Sequence, residues 1–158
     1  MGEVQASVII DDWNFTMQTN LPNRPKQLSR VAMLAWIGTL SLLLAMFVGT
    51  HMPPALDSQV VYNDKLMHFW AYLALAFGFM TSCDLSLARL RPRHYFLVFV
   101  GCALYGAFDE ITQIPVGRVA DLQDWMFDIA GALAGVLLYR VLRPLVQRLV
   151  LLVPVAAR

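Results

Sequence analysis

A carboxylate set beside an imidazole, a lysine or an arginine can bind a cation, pass a proton or hold a polar ligand. One short stretch of this chain concentrates such groups. Between Tyr105 and Asp128 lie Asp109, Glu110, Gln113, Arg118, Asp121, Asp124 and Asp128, which include five of the eleven carboxylates in the sequence. The stretch is flanked by two long apolar runs. Charge at membrane depth is costly, and ionisable groups retained there point to a functional site. Spacing adds members from upstream: Asp64, His68 and Tyr72 recur at i, i+4 and i+8, with Lys65 three residues before His68, so these positions share one helical face. Tyr105, Asp109 and Gln113 repeat the same spacing, with Glu110 one step round. Asp121, Asp124, Asp128, Gly131 and Gly135 form a single stripe, and the two glycines make a G-x-x-x-G that lets another helix approach closely. Three polar faces are therefore expected to converge on one pocket.

The chemistry open to this set falls into three classes. Lys65, Arg118 and His68 can meet an anion while the carboxylates meet a cation or sugar hydroxyls, which suits a binding or envelope-modulating protein. His68, Asp109, Glu110 and Asp124 offer the imidazole and oxygen ligands of a divalent metal, which could activate water in a hydrolase or transferase. There is no H-E-x-x-H and no Ser or Cys nucleophile near a base. Asp, Glu and His in membrane helices are also the parts of a proton-coupled carrier, although four spans without an inverted repeat make a poor monomeric carrier. A structural ion-pair network competes with all three. Past the Pro115-Val116-Gly117 turn, Arg118 can fold back toward Asp109, Glu110, Asp121 or Asp124.

The elements that must position these residues are membrane helices. The chain is 158 residues long, 58% hydrophobic and only 15% charged, with a mean hydropathy of +0.57. Soluble domains run nearer ~45–50% apolar and ~25% charged. The reading is an all-α bundle of four transmembrane helices. Residues 1–30 form a polar leader, 31–142 the membrane domain, and 143–158 a tail lying along the membrane surface. The spans are expected at Val31–Thr50, Asp64–Ser82, Tyr95–Ile114 and Gln123–Leu142. Met52-Pro53-Pro54, Pro115 and Pro144 serve as stops. The first run is too long, and its leader too extended, for a cleaved signal. Ten of the twelve Lys and Arg residues fall on the side of the termini, leaving Lys65 and Arg118 opposite. The positive-inside rule then places both termini in the cytoplasm and the acidic stretch outside. Cys83 and Cys102 lie at different depths and read as unpaired small apolar fillers.

Three motifs occur in order. Asp64-Lys65-x-x-His68-x-x-x-Tyr72 comes first, then Asp109-Glu110-x-x-Gln113, then Gly117-Arg118 followed by Asp124 and the Gly131/Gly135 pair. Over residues 34–142 this pattern resembles the VanZ-like membrane proteins of bacteria, with Asp128 standing where many members carry Asn. The resemblance implies a multi-pass protein of the bacterial inner membrane, in a family named for a protein associated with teicoplanin resistance. It implies no settled activity and does not carry the resistance phenotype across. The partners it suggests are membrane lipids and a lipid-linked or cell-wall precursor, with no nucleic acid. A divalent metal is the single candidate cofactor.

Simpler roles stand beside several of these residues. The G-x-x-x-G can be plain helix packing. Tyr72 and Tyr105 lie too deep for interfacial anchors, which favours hydrogen bonds inside the bundle, while Trp70 and Trp125 suit the interfacial belt. Met46, Met67, Met80 and Met126 read as lipid-facing or packing filler.

Overall fold

The computed structural model describes residues 26–52, 64–87 and 89–152. They form four long helices: α1 (Lys26–Thr50), α2 (Asp64–Ser86), α3 (Pro92–Gln113) and α4 (Leu122–Leu152), with a 3-10 turn at Ile114–Val116 between the last two. Each helix is long and apolar enough to cross a membrane. Most of the leader expected at residues 1–30, together with Pro53 and Pro54, lies outside the described residues.

Hydrogen bonds between helices fix an up-down-up-down arrangement. Near the start of α1, Trp36 Nε1 donates to Ser86 Oγ at the end of α2 (2.8 Å), and Thr39 and Ser82 hydroxyls lie 3.2 Å apart. Thr50, at the end of α1, bonds Asp109 near the end of α3, while Lys65 at the start of α2 reaches Asp124 at the start of α4. One end of the bundle therefore carries Asp64, Asp109, Glu110, Asp121, Asp124 and Asp128, and the other carries Asp84 with exposed Arg30, Arg89, Arg91, Arg93, Arg140 and Arg148.

The bundle is apolar outside. Leu34, Leu44, Leu104 and Val141 are exposed, as lipid-facing surfaces require, because no water is present to drive these side chains inward. The core is narrow, built on Tyr72, Leu75, Ala76, Met80, Ala132, Val136 and Tyr139. Met80 is wholly buried filler, whereas Met67 and Met126 face outward. α2 and α4 make the most extensive helix pair. Their contact depends on the two glycines of α4: a β-carbon at Gly131 would collide with the carbonyl of Phe69, and one at Gly135 with the carbonyl of Leu73. Both cysteines are free.

Helix ends follow local chemistry. Pro92 opens α3, where its missing N–H costs nothing, and the Arg91 amide donates to His94 Nδ1 (2.8 Å). The chain leaves α3 through Pro115 and Gly117, whose φ of 82° is left-handed and suits glycine. Asp121 then caps α4, its Oδ1 accepting from the Gln123 amide at 2.7 Å.

Pro144, expected from sequence to stop the last helix, does not: residues 143–152 continue α4. The physical reason lies on one face of α4. Tyr139, Arg143 and Gln147, spaced at i, i+4 and i+8, all bond the carboxylate of Asp84 on α2. Tyr139 Oη donates at 2.7 Å, Arg143 donates through Nε and Nη2 at 3.0 and 2.9 Å, and Gln147 Nε2 donates at 3.0 Å. Anchors on both sides of the proline hold the chain helical across it, and such prolines are tolerated where neighbouring helices support the backbone.

Candidate functional site

At the acidic end, residues from α2, α3 and α4 meet. His68 on α2 places Nδ1 2.8 Å from Asp128 Oδ1 on α4, and both side chains are buried. Ligand atoms of His68, Glu110 and Asp128, one residue from each helix, all lie within 4.8 Å of one another. A second group, Asp64, His68 and Asp124, meets the same criterion. His68 is therefore shared by two carboxylate pairs, as the i, i+4 spacing of α2 allows.

Around this centre the polar groups are held from several directions. Lys65 Nζ bridges Asp121 Oδ2 and Asp124 Oδ1, each at 3.3 Å, tying the start of α2 to the start of α4. Glu110 Oε2 accepts the backbone N–H of Asp121 at 2.8 Å, which joins the end of α3 to the α4 cap. The Gln123 amide and the Lys65 ammonium together hold the Asp121 carboxyl below its ordinary range.

Asp109 turns a different way. It is buried, but Thr50 Oγ1 donates to its Oδ1 and Gln113 Nε2 to its Oδ2, both at 3.0 Å, and His51 Nδ1 stands 3.8 Å away. His51 Nε2 in turn lies 3.1 Å from Thr112 Oγ1. Asp109 thus joins α3 to α1, and it belongs to neither group of candidate metal ligands. Thr50 and His51 are site neighbours that periodicity could not reveal, because they end an apolar run with no polar repeat. Gly106 is another. A β-carbon there would lie 2.8 Å from Asp128 Oδ2 and 3.2 Å from Trp125 Cδ1, so this glycine makes the room that Asp128 occupies.

Three sequence expectations need correction. Arg118 forms no ion pair with Asp109, Glu110, Asp121 or Asp124; its Nε is buried without a hydrogen-bond partner. Those acids have other partners: Thr50 and Gln113 hold Asp109, the Asp121 amide meets Glu110, and Lys65 takes Asp121 and Asp124. Tyr72, expected to hydrogen-bond, has a buried hydroxyl with no partner, whereas Tyr105 Oη donates to Leu43 O at 3.4 Å. Trp125 is half-buried and donates to Ala103 O at 2.9 Å, so it fastens α4 to α3. Trp70 remains exposed, as an interfacial residue would be.

The family model described as VanZ/LLP1 matches residues 6–143. The chain belongs to the VanZ/LLP1 family. The match takes in all three motifs, from Asp64 through the Gly131/Gly135 pair, and so covers the acidic-end residues described in this VanZ-family protein. No curated protein and no solved structure matches the chain.

What this end can do chemically follows from its balance of partners. Among the described residues, six carboxylates (Asp64, Asp109, Glu110, Asp121, Asp124 and Asp128) share one lysine and one arginine, and the arginine Nε has no hydrogen-bond partner. Buried carboxylates need cations, protons or hydrogen-bond donors to offset lost hydration. Among the described residues, the donors to this set are Lys65, Thr50, Gln113, His68 and the Asp121 and Gln123 amides. Asp128 Oδ2 receives none.

Proposed function

We propose that this VanZ-family protein sits in the bacterial inner membrane with its acidic end facing outward. There it binds or modulates a polar group of a cell-envelope component, either wall or lipid-linked. The observation that carries the reading is the set of orphaned polar atoms. Asp128 Oδ2, Tyr72 Oη and Arg118 Nε are buried without partners, and all three belong to the acidic-end motifs. An unmet buried polar atom costs ~1–3 kcal/mol, a cost that a ligand bearing both donors and acceptors would relieve. The outward orientation rests on the concentration of arginines at the opposite end.

The test separates site from scaffold. Glu110→Gln and Asp109→Asn keep shape and most hydrogen bonds, so both proteins should unfold within a few degrees of wild type in detergent. Both should nevertheless fail to restore normal sensitivity to wall-targeting antibiotics in a host lacking its own copy. A stable variant with full activity refutes the reading. In a cysteine-free background, an impermeant maleimide applied to intact cells should label Val116→Cys and spare Arg91→Cys; the reverse pattern overturns the orientation.

A second reading is a metal-assisted hydrolase or transferase acting on a lipid-linked substrate, favoured by the grouping of His68 with Glu110 and Asp128. Turnover of such a substrate by purified protein, abolished in Glu110→Gln, distinguishes it from binding alone.

A further inference from the structure

We infer that His68, Glu110 and Asp128 form a binding site for one first-row divalent cation, zinc or manganese. Three observations carry this. The ligand atoms of the three residues come from three different helices, all three side chains are buried, and they lie within 4.8 Å of one another. That spacing suits donors spread around a single ion, whose bonds to nitrogen and oxygen run ~2.0–2.2 Å. Next, Asp128 is 1% exposed and its Oδ2, on the side of α3, has no hydrogen-bond partner, so one carboxylate oxygen of the group is buried and unengaged. Finally, two buried carboxylates face a single imidazole, His68, as the one group beside them able to carry positive charge. Lys65 is committed to Asp121 and Asp124, and among the described residues Asp128 and Glu110 have no lysine or arginine partner. A divalent ion would supply further positive charge at the point where the helices converge.

The donor set selects the ion class. Calcium and magnesium take oxygen ligands, whereas an imidazole nitrogen mixed with carboxylates favours a first-row ion. Gly106 contributes by leaving space for Asp128, since a β-carbon there would lie 2.8 Å from Oδ2. Asp109 takes no part, because its two oxygens are held by Thr50 and Gln113.

The site shares its pocket with the proposed envelope ligand, but its test requires no ligand and no phenotype. Purified, tag-free protein in detergent is stripped with chelator, exchanged into Zn²⁺ or Mn²⁺, freed of unbound metal and assayed by mass spectrometry of its metal content. Wild type should retain about one ion per chain and melt at a higher temperature than the stripped form. His68→Gln and Glu110→Gln should lose both effects, while His94→Gln, at the arginine end, keeps them. Monodisperse elution confirms that each variant is folded. Should His68→Gln aggregate, the near-isosteric Glu110→Gln carries the test. Failure of wild type to retain either ion, or retention undiminished in a folded Glu110→Gln protein, overturns the site. A wild type that retains the ion while antibiotic sensitivity is unaffected would leave the metal site standing and refute the envelope reading alone.

Discussion

Gly131→Ala should be among the most damaging single-methyl additions in this protein. At Gly131 the added β-carbon meets backbone, not a flexible side chain: the carbonyl oxygen of Phe69 lies in its path, and the carbon and α-carbon of Phe69 are each 3.0 Å away. Ordinary contact begins near 3.4 Å, so α2 and α4 must separate by at least several tenths of an ångström. Neither helix can yield locally. Phe69 adjoins His68, and Gly131 lies three residues from Asp128, so the separation also stretches the 2.8 Å His68–Asp128 contact. Overpacking costs ~1–3 kcal/mol, and a backbone obstacle puts this case near the top of that range. For a domain of this size ~1 kcal/mol corresponds to ~2–4 °C, so the melting temperature should fall by roughly 6–12 °C. Tryptophan fluorescence during thermal unfolding in detergent reads it directly. Gly101→Ala is the matched control, because nothing lies within 4 Å of its β-carbon; it should leave stability unchanged or raise it by up to ~1 kcal/mol. If Gly131→Ala melts with wild type, or Gly101→Ala is equally damaged, the close α2–α4 contact is not what holds the bundle.

Two further substitutions probe the charges. Asp84→Asn removes the charge that Arg143 faces while leaving an acceptor. Breaking a fully buried pair costs ~3–5 kcal/mol, but the Arg143 side chain is 29% exposed, so a loss of ~1–2 kcal/mol is expected, visible as a lower melting temperature with normal antibiotic sensitivity. Arg118→Gln has no ion pair to lose among the described residues and should melt within ~0.5 kcal/mol of wild type; a much larger drop would reveal a structural partner for the guanidinium.

The helices and most of the site were legible because membrane burial imposes strong patterns. Apolar length located four spans, and the i, i+4 repeats at Asp64/His68/Tyr72 and Tyr105/Asp109/Gln113 identified faces that the structure buries wholly or in part, exposed Asp64 aside. Partner choice was less legible. Asp109 and Glu110 are adjacent in sequence, yet a 100° step per residue sends one toward α1 and the other toward the α4 cap. Thr50 and His51 carry no repeat of their own. At the opposite end, Asp84 is a lone carboxylate among arginines, matched by a Tyr139/Arg143/Gln147 stripe at i, i+4, i+8 that also explains why Pro144 fails to stop α4.

That opposite end bears on what the acidic end is for. Asp84 lies at comparable depth in the same pair of helices, and its carboxylate accepts four hydrogen bonds from three side chains. The α2–α4 scaffold is therefore able to satisfy a buried carboxylate completely with its own residues. At the acidic end it does not do so: Asp128 keeps one oxygen bare, Tyr72 a hydroxyl and Arg118 its Nε. Each bare atom subtracts from stability, and a scaffold selected for stability alone would close them as it closes Asp84. The difference between the ends is what a site awaiting a partner predicts. A cation on Asp128 and Glu110, or a polar headgroup against Arg118 and Tyr72, would meet groups already desolvated and fixed in place, and so would bind without a further ordering cost.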